Sequence, residues 1–348
     1  STGLPQLDRV FRGIMPGDNL VWQIDAIEDY REFVIPYARH AKENRQRLIY
    51  FRFADHAPLL SEDSGAVICS INPEEGFECF IAEIHRVISE EGRASLFLFD
   101  CLSQLAPDWN SDRMLGNFFM LTCPYLYDRA AIAYFAVFRN YHSFHAVKPI
   151  TSTTQILVDV YRRKGKLYIQ PVKVQYRHSS TMYMLHVRQG DDFSPVTQSS
   201  VITETVHEVP WSRSDPANYL LGCWSRTFAE AEAIQRDIDN GLERNEETHH
   251  YFHRILRMLI SRDEPVLRLG TMYFTLRGLL SIRRRMIGTG LIGGKAVGML
   301  LARAILARTE PRWEKLLEKH DSFYVGADVF YTYLVQNGCW WMMQKHKG

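Results

Sequence analysis

Six cysteines are scattered through 348 residues without a single C-x-x-C pair. That argues against a zinc site or a disulfide framework and fits a reducing cytoplasm. An excess of either charge is also missing: 41 Lys and Arg face 40 Asp and Glu, a formal net charge of +1. Nothing in that balance draws the chain generally toward nucleic acid or an anionic membrane. Long hydrophobic runs are absent, since the stretch at 130–138 is far too short to cross a bilayer, and no signal peptide is visible. There is no internal repeat and no low-complexity segment. Glycine is missing in one telling place: none occurs between Gly17 and Gly65.

What is present reads as an ordinary globular chain, with 46% hydrophobic and 23% charged residues. Short apolar runs at 19–24, 48–53, 66–70, 94–100 and 131–138 predict strands. Helical stretches separate them; at 77–89, for example, Phe80, Ile84, Val87 and Ile88 fall at helical spacing. Such alternation predicts a mostly parallel sheet covered on both faces, with the runs at 19–24 and 94–100 as neighbouring central strands. Runs at 155–162, 167–176 and 181–187, with a Lys164-Gly165-Lys166 turn and no intervening helix, predict an antiparallel extension. A polar stretch from Thr197 to Thr205, followed by Pro210 and Pro216, reads as a linker. Two amphipathic helices come next, the second with Phe252, Ile255, Leu256, Leu259 and Ile260 on one stripe. From about 271 there is a basic helix, a glycine turn and a helix starting near Lys295.

The first strand follows a Pro16-Gly17-Asp18 turn and runs into Asp25, Glu28 and Asp29. A phosphate-binding loop at such a place uses glycines to aim backbone N–H groups inward, a helix N-terminus, and a lysine reaching the outer phosphates. Here there is no glycine, and no Lys-Ser or Lys-Thr. Each carboxylate against a phosphate charge at ~4 Å costs roughly 1 kcal/mol in water and about 4 near a protein surface. The acids do suit a helix N-terminus by themselves. Asp100, ending an apolar strand, stands where a magnesium-holding aspartate would, and reads more naturally as a structural polar residue at a strand end.

Taken in order, Thr2-Gly3-Leu4-Pro5, Leu7-Asp8, Gly13, Pro16-Gly17, the first strand, Ser95-Leu96-Phe97-Leu98-Phe99-Asp100 and Lys173-Val174-Gln175-Tyr176-Arg177-His178 resemble the RecA/KaiC-type ATPases. The resemblance covers most of residues 1–190 and implies a RecA-like fold. The missing loop implies that the nucleotide has been lost from it.

A second motif, Gly288-Thr289-Gly290-Leu291-Ile292-Gly293-Gly294-Lys295-Ala296-Val297-Gly298, leads into an apolar helix. Backbone donors beside a mobile cation at a helix start suit an anion. The alternative is a glycine loop with a solvated lysine. Leu291 to Ala296, with Asp321-Ser322-Phe323-Tyr324-Val325-Gly326 downstream, resemble the opening of the ATP-grasp-type domain of pyruvate phosphate dikinase and phosphoenolpyruvate synthase. That resemblance, covering residues 285–348, gives Lys295 a role on ATP phosphates, with Gly293 and Gly294 beside it. The remainder of that nucleotide domain, the phosphohistidine domain and the phosphoenolpyruvate-binding barrel are not in this sequence. The chain is therefore expected to be the N-terminal portion of a longer protein, with a processed or trimmed start at Ser1. The apolar cluster Trp340-Trp341-Met342-Met343 is expected to need a cover.

Other signals carry less. His249 and His253 lie one helical turn apart without a third metal ligand nearby in sequence. Arg283-Arg284-Arg285 reads as a solvated helix face. His142 and His145 lack a serine or cysteine with a nucleophile signature.

The resulting expectation is an α/β chain in three parts. Residues 1–197 form a degenerate RecA/KaiC-like domain, 198–270 a linker with amphipathic helices, and 271–348 the beginning of a dikinase-type ATP-grasp domain. Its function would be non-hydrolysing regulation or docking within a phosphotransferase acting between ATP and pyruvate or phosphoenolpyruvate. The alternative is a stand-alone RecA/KaiC-like interaction or signalling module. ATP and Mg2+ are expected only in the full-length protein, with no catalytic residue and no metal site in this chain. Expected partners are the remaining C-terminal domains, with self-association open, and neither nucleic acid nor membrane; the location expected is cytoplasmic.

Overall fold

The computed structural model describes residues 1–207, 222–318 and 321–347. Pro210 and Pro216 lie outside the described residues. Two compact units form, the first from residues 1–109 and the described residues from 115 to 207, the second from residues 110–114 and those from 222 onward.

The first unit opens with α1 (Pro5–Phe11) and continues as β1 (Asn19–Ile24), α2 (Ile27–Glu43), β2 (Leu48–Arg52), β3 (Val67–Ser70), α3 (Phe77–Glu91) and β4 (Leu96–Cys101). After α4 (Leu105–Trp109) and α5 (Arg113–Asp128) come β5 (Ile132–Phe138), α6 (Phe144–Thr153), β6 (Ile156–Arg163), β7 (Lys166–Val174), β8 (His186–Gln189), β9 (Asp192–Pro195) and α7 (Ser199–His207). Nine strands make one sheet in the order β3-β2-β4-β5-β1-β6-β7-β8-β9. The six from β3 to β6 run parallel, and β6 to β9 pair antiparallel. The expected class, α/β with a mostly parallel sheet and an antiparallel extension, is therefore what folds.

Burial explains the parallel part. All six residues of β4 are buried, and so are five of the six in β1, as strands covered on both faces must be. On one face Trp22 stacks on Phe33 of α2 (4.0 Å), and Tyr37 of α2 stacks on Tyr134 of β5 (4.0 Å). On the other, Phe51, Phe97, Phe99 and Phe135 make an aromatic row against Phe118 of α5. The Lys164-Gly165 pair takes φ of 48° and 75°, the double left-handed turn that suits a two-residue hairpin.

Three expectations need correcting, and one strand is new. β1 and β4 are central, but they are not neighbours, because β5 inserts between them; apolar runs report burial and carry no strand order. The run at 181–187 becomes strand only from His186. Before it the chain turns, with Met182 N–H donating to Ser179 and Met184 N–H to Thr181. β9, with Asp192 and Pro195 at its ends, was not anticipated. The polar stretch at 197–205 is largely helix: Val201, Ile202 and Val206 pack on Tyr161, Tyr168, Leu185 and Val196. That apolar face spans only two turns, too short to stand out among serines and threonines.

The second unit is mostly helical: α8 (Cys223–Asp239), α9 (Asn245–Leu259), α10 (Glu264–Tyr273), α11 (Leu276–Arg283), β10 (Met286–Ile287), α12 (Gly294–Thr309), α13 (Pro311–Leu316), β11 (Tyr324–Val325), α14 (Ala327–Gln336) and α15 (Trp340–Lys347). One core runs from Trp224 and Phe228 through Ile255, Leu256 and Leu279 to Val297, Leu301 and Tyr324, so residues on both sides of position 270 share it. β10 and β11 pair in parallel as a two-stranded sheet. Trp340 is buried, whereas Trp341 and Met342 stay exposed. Among the described residues no helix is long and apolar enough to cross a membrane.

One buried titratable group makes the first unit pH-sensitive. His85 of α3 lies against the Thr122 hydroxyl (3.2 Å) and stacks on Tyr125. Burial, and secondarily Arg129, push its pKa down to about 3. Because the folded value lies below the unfolded one, protonation favours the unfolded chain. The stability held above pH 6.5 is lost as pH falls toward 3, by up to about 1.4 kcal/mol per unit. Urea unfolding followed by circular dichroism should show a decline from pH 6.5 to 5 that His85→Gln flattens. An equal slope in the variant would assign the effect to other groups.

Candidate functional site

Both candidate sites are loops that join a strand to a helix, and their chemistry is opposite. In the first unit only Asp25 and Ala26 separate β1 from α2. Glu28 and Asp29 sit in the first turn of α2, where their charge complements the helix dipole. Each of three carboxylates here meets an arginine far away in sequence, on or just after another strand. Asp25 accepts from Arg139, and Arg163 lies 3.8 Å away. Asp29, nearly fully buried, accepts from Arg162 Nε at 2.6 Å. Glu32 accepts from Arg162 (3.2 Å) and Arg188 (2.8 Å).

Asp100 stands at the end of β4, at a register irregularity against β5. It has no exposure. Oδ1 accepts from the Tyr50 hydroxyl; Oδ2 accepts from Arg52 Nη1 (2.6 Å) and from the backbone N–H groups of Phe53 and Ala54 (both 2.9 Å). Burial, then the Asp100 charge, raises the pKa of Tyr50 and keeps it a donor. Four donors nearly exhaust a carboxylate's acceptor positions. The cation beside it is an arginine already in place.

Other residues of the opening motif have packing reasons. Gly3 has φ of +79°, and a Cβ on it would lie 2.1 Å from the Pro36 carbonyl oxygen of α2. Asp18 is held by Arg177 through two hydrogen bonds (2.8 and 3.0 Å), and Arg177 also donates to the Gly13 carbonyl (2.6 Å). One pair escaped the sequence reading. Ser103 Oγ lies 2.6 Å from His142 Nε2 and accepts the Phe138 N–H at 2.8 Å. Ser103 and His142 are both buried, so they tie the end of β4 to that of β5. With the two residues 39 positions apart, no local pattern could have signalled it. A groove of about 710 Å³ between α2 and the segment before β3, lined by Ile35, Arg39, Lys42, Leu59, Leu60 and Ile68 among others, contains neither Asp100 nor Asp25.

In the second unit five glycines in and near the motif divide into two groups. Gly288 and Gly326 are demanded by packing: a Cβ on Gly288 would meet Asp328 Oδ1 at 2.3 Å, and one on Gly326 the Thr289 carbonyl oxygen at 2.3 Å. Asp328 is buried and accepts from Thr289 N–H (2.7 Å) and Thr289 Oγ1 (2.8 Å). Thr289 Oγ1 is also 2.6 Å from Ser111 Oγ. Gly293, Gly294 and Gly298 are different. A Cβ on any of them would meet nothing within 4 Å, and none has a left-handed φ. Gly293 is the N-cap of α12 and offers no side-chain cap. Lys295 beside them is exposed.

The remaining signals stay modest. His249 and His253 have ring centroids 4.3 Å apart, and no group of three metal-ligating side chains forms among the described residues. Arg283 lies over Phe228 and Arg284 is 3.9 Å from Glu232. A scan of known protein families finds no match to this chain, and neither does a search of curated proteins.

Asp100→Ala should destabilise the first unit by about 3–5 kcal/mol, because it leaves a part-buried guanidinium and two buried N–H groups unmatched. Urea unfolding measures it. A loss under ~1 kcal/mol would remove the structural role and restore Asp100 as a free ligand group.

Proposed function

We propose that the chain is the N-terminal part of a dikinase-type phosphotransferase, joining a RecA/KaiC-like unit that holds no nucleotide to the start of an ATP-grasp-type domain. The observation that carries this reading is the set of glycines at 293, 294 and 298. Glycine inside a helix, as at 294 and 298, costs up to ~1 kcal/mol relative to alanine, and there neither packing nor backbone conformation offsets that cost. Close approach of a ligand to the backbone does. With the uncapped amides of α12 and the exposed ammonium of Lys295, the surface suits the phosphates of ATP. Phosphoryl transfer to pyruvate through a phosphohistidine would use domains outside this sequence. Mg2+ would enter with the ATP there, and the cytoplasm is the fitting location. The resemblance at residues 291–296 and 321–326 supports the particular family.

For the first unit, the carboxylates of Asp25, Asp29 and Glu32, already matched by arginines, support a regulatory or docking role without hydrolysis. A second reading, a stand-alone interaction module, is favoured by the edge strand β3, where Val67 and Ile68 are exposed.

The deciding experiment is phosphohistidine formation from labelled ATP in the longer protein. Lys295→Ala should lower labelling by roughly 100-fold or more with unchanged circular dichroism, since it removes a charge-assisted contact to phosphate. Equal labelling would return Lys295 to a solvated helix end. The 348-residue chain alone should bind ATP weakly or not at all, because one cation and a few amides cannot enclose it.

A further inference from the structure

The end of β1 holds more than a blocked loop. Asp25 follows β1, Arg139 follows β5, and Arg163 ends β6, three adjacent parallel strands whose carboxyl ends meet at one place. The chain leaves β1 toward β2 on one side, while β6 lies on the other, and open α/β sheets take ligands where connections diverge in this way. The two arginine side chains are only 11% and 17% exposed. The Arg139 guanidinium stacks 3.8 Å from the centre of the Tyr161 ring, which fixes its plane.

Asp25 meets both cations through one oxygen, Oδ2. Arg139 Nη1, by contrast, is buried and makes no hydrogen bond among the described residues. A guanidinium fork is built for two oxygens at once, and a tetrahedral oxyanion has oxygens to spare for both prongs and a second arginine. The carboxylate therefore fills the site without satisfying it. Asp159 is the other acid facing the pair. One of its oxygens is buried without a hydrogen bond, and burial raises its pKa.

We propose that Arg139 and Arg163 form an oxyanion site of phosphate size, occupied in cis by Asp25 acting as a removable plug. The proposal deepens the reading of the first unit as a sheet without its nucleotide loop. Two guanidinium groups match the charge of a single phosphate group. A triphosphate is disfavoured, because Glu28, Asp29 and Glu32 continue from the same loop along α2.

The test uses the whole 348-residue chain with inorganic phosphate as probe, read by calorimetry and by the phosphate-induced rise in Tm against chloride of equal ionic strength. Mg-ATP is titrated in parallel. Asp25→Ala should bind phosphate at least about tenfold more tightly than wild type, and Arg139→Gln added to it should abolish the gain. Asp25→Asn, nearly isosteric, guards against misfolding: its Tm should rise with phosphate more than that of wild type. Equal phosphate responses in wild type and Asp25→Asn, or a gain in Asp25→Ala that survives Arg139→Gln, would overturn the proposal and leave the lost-nucleotide reading intact. Micromolar Mg-ATP binding by wild type, lost in Arg139→Gln, would overturn both.

Discussion

A fully buried carboxylate can be carried only if its charge is answered where it stands, and Asp100 imposes that condition on the centre of the first unit. The effective cost of burying an ion is several kcal/mol. The answer comes from a phenol, a guanidinium and two backbone amides, all supplied by β2 and the residues just after it. Arg52 then donates onward to the His56 carbonyl, and the Leu59 N–H to the Tyr50 hydroxyl at 3.1 Å. One charge thus organises the segment from Arg52 to Leu59, at the sheet edge where a ligand would otherwise be received.

The same solution recurs along that edge. Asp25, Asp29 and Glu32 are each matched from within, by arginines on or just after β5, β6 and β8. A sheet edge satisfied by its own ion pairs has little left to offer a polyphosphate. The second unit presents the reverse condition at α12: donors without caps, glycines without neighbours and an exposed lysine. The contrast between the two junctions lies in charge placement, since both follow a strand and begin a helix.

The central strands of the parallel sheet were legible because each is a short, continuously apolar run, as two-sided burial requires; the edge strand β3 is an apolar run that stays largely exposed. Helices α3, α9 and α12 were legible from their spacing or their glycine start. Strand order was not, since β5 enters between β1 and β4 through crossovers that leave no local mark. The helix α7 and the strand β9 were missed because a two-turn apolar face and a four-residue strand with Asp192 and Pro195 at its ends lie below the reach of periodicity. The glycines divided only in three dimensions: Gly288 and Gly293 look alike in sequence, yet one is pinned against Asp328 and the other faces open space.

By itself the sequence determined that this is an α/β chain, that its first strand–helix junction lacks a phosphate nest, and that acids stand there instead. Those properties are local, set by residue type and spacing over a dozen positions. Only the tertiary structure decided what the acids do. Their arginine partners lie 114, 133 and 156 positions away along the chain, and an ion pair at that separation exists only once the sheet has brought the carboxyl ends of its strands together.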